Sequence, residues 1–131
     1  RPGMIAVDTN VMVYLLTGAG PGEKAAALLA RDPEWTAPPI LMSELRNVLA
    51  GLIRAERLTS SDAVEMCLDA QEILGDRVAY VPSGPVMDVA LAHDLNADGA
   101  EFVVLARRLG VPLVTEDQRI LEGAPDVAVR L

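Results

Sequence analysis

A four-residue apolar run, Met4-Ile5-Ala6-Val7, ends abruptly in an acid, a hydroxyl and an amide, Asp8-Thr9-Asn10, and apolar sequence resumes from Val11 to Leu16. No polar residue interrupts the run, so a strand made from it is buried on both faces, the habit of parallel sheets covered by helices on either side. Parallel neighbours need long crossovers, normally helices. This stretch therefore predicts a chain of short strands alternating with helices. It also sets Asp8 at the carboxyl end of its strand, the edge where open α/β sheets have their crevice.

The rest of the chain keeps that alternation. Val11 to Leu16 reads as a short helix, Thr17-Gly18-Ala19-Gly20-Pro21-Gly22 as a breaker, and Glu23 to Ala30 as a second helix ending near Arg31-Asp32-Pro33. Trp35-Thr36-Ala37 is a short strand stopped by Pro38-Pro39. Leu41 to Glu56 is the clearest helix, because Leu41, Leu45, Val48, Leu49 and Leu52 recur at the spacing of one buried stripe. A rotation of about 100° per residue sets Glu44 at the edge of that stripe and turns Arg46, Asn47 and Arg54 away from it. Ser60 to Leu74 is a further helix, with Asp62 and Glu65 as a capping box and Gly75 as its stop. Val78 to Val81 reads as a strand closed by Pro82. Val86 to Leu95 and Ala100 to Leu109 read as helices separated by Asn96-Ala97-Asp98-Gly99. Val111 to Val114 is a strand running into Thr115-Glu116-Asp117, and Val127 to Arg130 is the last. The pattern predicts one α/β domain over residues 4–131, a three-layer α/β/α sandwich with a mainly parallel sheet of about five strands. Arg1-Pro2-Gly3 before Met4 reads as an upstream remnant and is left out of fold reasoning.

Composition limits what such a domain can do. Hydrophobic residues make up 51% of the 131 and aromatics 3%, so the core is aliphatic. The lone Cys67 reads as a small core residue and has no intramolecular disulfide partner, in keeping with a reducing compartment. No apolar run approaches the roughly 18 residues of a membrane span and no secretory pattern opens the chain, so a soluble, cytoplasmic protein is expected. A formal charge of −8, with 19 acids, argues against nucleic-acid binding through a basic surface. Two readings survive: the partner is not a polyanion, or some acids are gathered to hold divalent cations that then meet phosphate.

Asp8 and Asp117 end two of the predicted strands, and carboxylates brought that close repel unless a cation or a proton intervenes. Each has an ordinary explanation as a helix cap, Asp8 for the helix from Val11 and Asp117 for the turn Gln118 to Leu121. With Glu44 added, three acids converging on one crevice share no capping explanation. They suit hard, oxygen-seeking Mg²⁺ or Mn²⁺; zinc is disfavoured by a single histidine, His93, and a single cysteine.

Four segments, Val7-Asp8-Thr9-Asn10-Val11, Ser43-Glu44-Leu45, Asp98 to Ala106 and Leu113-Val114-Thr115-Glu116-Asp117, resemble in order the acidic motifs of PIN-domain nucleases. The short length is similar to the VapC-type toxins of bacterial toxin–antitoxin pairs, and the resemblance covers nearly all of residues 4–131. It implies that Asp8 is the first metal-binding acid, Glu44 the second and Asp117 the acid of the Thr-x-Asp motif. The remaining acid departs from the pattern. Counting back three residues from the aromatic Phe102 gives Gly99, while the nearest acids are Asp98 and Glu101. Three accounts compete: Asp98 fills the role from a helix start displaced by one residue, Glu101 substitutes, or this ligand has been lost. Asp98 to Glu101 also reads as a capping box.

The resemblance implies a catalytic and metal-binding set of Asp8, Glu44, Asp98 and Asp117, with Glu101 as the substitute for Asp98. Thr9, Asn10 and Thr115 would orient the acids, and Arg46 and Arg119, ahead of Arg107 and Arg108, would contact substrate. The implied activity is hydrolysis of RNA phosphodiester bonds by water with Mg²⁺ or Mn²⁺. The implied partners are RNA, a VapB-type antitoxin that blocks the acidic site, and a second copy in a homodimer, with no membrane. Competing readings are a PIN-like module that binds RNA or protein without cutting, on account of Gly99, and a receiver-type phosphoacceptor domain, for which Lys24 stands in the wrong place. A phosphohydrolase with an Asp-x-Asp pair would need an acid where Asn10 stands.

Overall fold

The protein is described by a computed structural model covering residues 3–131, so the expectation for Arg1 and Pro2 lies outside the described residues. Strand β1 (Met4–Val7) is buried at all four positions, as an uninterrupted apolar run requires. Helices α1 (Thr9–Thr17) and α2 (Gly22–Arg31) follow, and they turn so tightly that a Cβ on Gly22 would come within 3.0 Å of the Tyr14 carbonyl. Next come β2 (Glu34–Thr36), α3 (Ile40–Arg54), α4 (Ser60–Leu74), α5 (Ser83–His93) and α6 (Ala97–Leu109). Strand β3 (Leu113–Thr115), α7 (Gln118–Gly123) and β4 (Ala128–Arg130) complete the order.

The sheet runs β2-β1-β3-β4 and every pairing is parallel. The chain leaves β1 for β2 on one side and returns later to place β3 on the other. The strand order therefore reverses between β1 and β3, and a crevice opens beyond their carboxyl ends. The Asp8 N–H donates to the Val114 carbonyl at 3.0 Å, so the β1–β3 ladder runs up to the first acid of the sequence. Helices flank the sheet: α1, α3 and α4 pack together, while α6 packs across β1 and β3 with α5 outside it. Trp35, Phe102, Met12, Leu41, Leu45 and Leu49 are among the largest fully buried side chains. Cys67 is half-buried against this core. Among the described residues no helix is long and apolar enough to cross a membrane.

Three sequence expectations are corrected. The sheet has four strands, not about five, because Val78 to Val81 contributes no more than an isolated bridge, Val78 to Ala37, just past the end of β2. Hydrogen-bonding groups on that edge are already taken by Arg77: its Nε donates to the Trp35 carbonyl at 3.1 Å, and its own carbonyl accepts from Thr36 Oγ1 at 2.6 Å. Val48 is 41% exposed and does not join the α3 stripe, which follows Leu41, Met42, Leu45 and Leu49 instead. Helix α4 is capped by Thr59, whose hydroxyl accepts from the Asp62 N–H at 3.0 Å, so an Asp62–Glu65 capping box does not form.

Candidate active site

Asp8 caps α1 directly after β1. Its Oδ1 accepts from the Thr9 N–H at 2.8 Å, and its Oδ2 accepts from Thr115 Oγ1 at 2.6 Å and from Asn10 Nδ2 at 3.3 Å. Burial pushes the Asp8 carboxyl above its ordinary range and the charge of Asp117 adds to the rise, while the Thr115, Thr9 and Asn10 bonds pull against it. Asp117 caps α7: its Oδ1 accepts from the N–H groups of Arg119 at 2.9 Å and Ile120 at 3.3 Å. The two capping readings and the convergence of the two acids hold together, since a cap uses only part of a carboxylate's acceptor capacity. The Thr115 hydroxyl links the pair, donating to Asp8 and accepting from the Asp117 N–H at 2.9 Å.

Glu44 reaches the same place from α3, where Thr9 Oγ1 donates to its Oε1 at 2.6 Å. Its carboxyl is pushed up to about 7, first by burial, then by the adjoining Asp98 carboxyl and the charge of Asp8, against the Thr9 bond. Asp98 arrives on the first turn of α6. That helix begins three residues earlier than the sequence suggested, with Asn96 in the cap position and Asp98 inside it, so an Asp98–Glu101 capping box does not form. Asp98 and Gly99 both line the pocket and Glu101 does not. Glu101 lies close enough to Asp98 for burial and the Asp98 charge to raise its own pKa.

The four acids Asp8, Glu44, Asp98 and Asp117 open on one pocket of about 90 Å³, well above the roughly 10–15 Å³ that one water needs. Leu95, Phe102 and Ile120 form its apolar wall and Arg119 the cationic part of its lining. A Cβ on Gly99 would meet Ile120 Cδ1 at 3.5 Å, an ordinary contact, so the position has room for a side chain. Arg46 is not brought to this pocket. Two residues beyond Glu44 on α3, it faces instead the groove shared with Val64 and Leu68 of α4. Arg107 is engaged with Asp126 through a two-pronged pair at 2.9 and 2.8 Å.

The donor set offers only oxygens, the pattern of Mg²⁺ or Mn²⁺ and not of zinc or copper. Among the described residues no three His, Cys, Asp or Glu side chains stand close enough as placed to hold a metal ion, and the raised Glu44 carboxyl reflects its burial and the neighbouring Asp98. The chemistry of the donors fits a hard divalent cation. Arg130 was missed in the sequence: it pairs in register with Thr115, a neighbourhood that strand order alone reveals.

The family model for the PIN domain matches residues 5–124. The chain belongs to the PIN-domain family. Among characterised relatives, this PIN domain is 30% identical over 120 residues to ribonuclease VapC1 of Mycobacterium tuberculosis, a match covering 91% of this chain and 89% of that protein. Its fold is shared with the crystal structure of PAE2754 from Pyrobaculum aerophilum, at a TM-score of 0.75 and 19% identity over 95% of this chain and 82% of that one. It is also shared with a toxin–antitoxin complex from Klebsiella pneumoniae, at a TM-score of 0.68 and 17% identity over 95% of both chains. A third likeness is VapBC2 from Rickettsia felis bound to a DNA fragment from their promoter, with a TM-score of 0.62 and 12% identity over 97% of this chain and 98% of that one.

Proposed function

We propose that this PIN domain is a VapC-type toxin, an endoribonuclease that hydrolyses RNA with Mg²⁺ or Mn²⁺ held by Asp8, Glu44, Asp98 and Asp117. The observation that carries this reading is the arrival of four carboxylates from four separate elements at one pocket on the β1–β3 switch point. The relative named as a ribonuclease supports the substrate class. Residues 4–131 act as one unit in this reading.

The acids bind and orient. Thr115 and Asn10 hold Asp8, Thr9 holds Glu44, and the α7 amides hold Asp117, so three of the four carboxylates are fixed before any ligand arrives. Glu44, whose carboxyl is pushed up to about 7, would hold a cation in its ionised form. When bound, the cation supplies the positive charge that draws in phosphate and acidifies the attacking water. Arg119, at the pocket, meets the phosphate that an acidic chain would otherwise repel.

A VapB-type antitoxin and a second copy of the chain are the proposed partners. Two apolar stripes, Val64 and Leu68 on α4 and Met87 and Leu91 on α5, are left uncovered for such contacts. A second reading, an RNA- or protein-binding module without cleavage, rests on Gly99 at the position where the family usually has its acid. Incubating purified protein with single-stranded and structured RNA, in Mn²⁺ or in EDTA, separates them. Cleavage only with Mn²⁺, lowered about a hundredfold or more in Asp8→Asn, is expected. Cleavage in EDTA, or an unchanged rate in Asp8→Asn, overturns the nuclease mechanism. Binding without cleavage favours the second reading.

A further inference from the structure

We infer that Arg130, beyond the end of the family match at residue 124, is a positioning residue that holds the Asp117 turn in place. Arg130 ends β4 and pairs with Thr115 across the ladder, which brings its guanidinium to the turn leaving β3. One prong, Nη1, lies 3.2 Å from Glu116 Oε2, and the other, Nη2, donates to Gln118 Oε1 at 2.7 Å. The fork therefore grips the residues immediately before and after Asp117.

Other bonds complete the restraint. The Asp117 N–H is held by Thr115, the Glu116 N–H donates to Asn10 Oδ1 at 3.4 Å, and Gln118 Nε2 donates to Glu122 Oε1 at 2.9 Å. The turn is thus tied to β3, to α1, to α7 and, through the Arg130 side chain, to the edge strand. A lysine cannot reproduce the last tie, because one ammonium lacks the planar fork that reaches two acceptors at a fixed spacing. The Arg130 side chain is 55% exposed, so the pair with Glu116 adds little to global stability. Its effect falls on where Asp117 stands.

The consequence for catalysis rests on the proposed metal reading, and two measurements keep the inferences apart. Amide hydrogen exchange on the metal-free protein reads the grip directly at Arg119 and Ile120, whose N–H groups bond to Asp117 Oδ1. In Arg130→Met these amides are expected to exchange about three- to fivefold faster, the scale of one partly exposed ion pair, with the α6 amides unchanged. Arg130→Lys is expected to recover only part of the protection. Unchanged exchange at Arg119 and Ile120 overturns the inference whatever the metal does.

Titration of Mn²⁺ then reads the consequence: Kd is expected to rise several-fold in Arg130→Met, with kcat for RNA cleavage lowered and KM little changed. A raised KM with unchanged Mn²⁺ affinity would make Arg130 a substrate contact and overturn the positioning role. If the unsubstituted protein binds no Mn²⁺ while the exchange effect is present, the metal reading fails and the grip on the turn stands.

Discussion

The Thr115 hydroxyl does more to define the site than its size suggests. Thr115 is fully buried, donates to Asp8 and accepts from Asp117, so replacing it by the isosteric valine leaves a buried carboxylate short of a donor and an N–H short of an acceptor. Thr115→Val is expected to cost about 1–3 kcal/mol in thermal or urea unfolding, with Thr115→Ser recovering most of it. Full stability in the valine variant would show that Asp8 does not depend on this bond. Glu44 carries the pH dependence. Its carboxyl rises from the ordinary 4.5 to about 7, so between those values the folded metal-free protein binds more protons than the unfolded chain. Stability contributed by Glu44 is therefore full below about 4.5 and declines as pH rises toward 7, and the upward shift of Asp8 acts in the same direction. Melts of metal-free protein across this window are expected to show Tm falling as pH rises, with a shallower fall in Glu44→Gln. An identical slope in that variant would place the titration elsewhere.

At the level of elements, the start of α6 is where the chain departs from the family pattern. Asp98 and Gly99 share its first turn and both face the pocket, so the acid one residue earlier in sequence still reaches Glu44. Gly99 itself is a helix residue with an ordinary contact waiting for a Cβ at Ile120. Gly99→Ala is accordingly expected to stabilise the protein by about 0.5–1 kcal/mol through backbone entropy, measured by denaturant unfolding. A loss of stability would mean that the turn needs glycine's freedom. Mn²⁺ titration of Asp98→Asn and Glu101→Gln distinguishes the two acids: affinity is expected to fall about tenfold or more in the first and to stay within about twofold in the second, the scale of a lost ligand-shell contact. The reverse order would assign the ligand to Glu101.

Across the whole molecule, some large apolar side chains stay exposed on the outer helices. Helices α4 and α5 each keep an i, i+4 pair in solvent, Val64 with Leu68 and Met87 with Leu91, and Leu91 is 79% exposed. Burying the α5 pair against a second copy removes that area from water, and a charge placed there opposes it. Leu91→Glu is expected to shift the protein toward monomer in sedimentation experiments while leaving Mn²⁺ affinity within about twofold, the two sites being separate. Retention of the same oligomer would exclude this face.

The alternation of β-type runs and helix-period stripes was enough to determine the α/β class, because one buried parallel strand demands helical cover and long crossovers. Asp8, Glu44 and Asp117 were legible for the same reason: an acid that interrupts or borders an apolar run stands out locally. Strand number, the start of α6, the separation of Arg46 from the acids and the grip of Arg130 were decided by the tertiary structure. Each depends on which backbone groups are already taken and which chain ends become neighbours: Arg77 occupies the edge where a fifth strand would pair, and Arg130 meets Glu116 and Gln118 only because β4 lies beside β3. Spacing along a chain carries periodicity, while adjacency across a sheet exists only after the strands have paired.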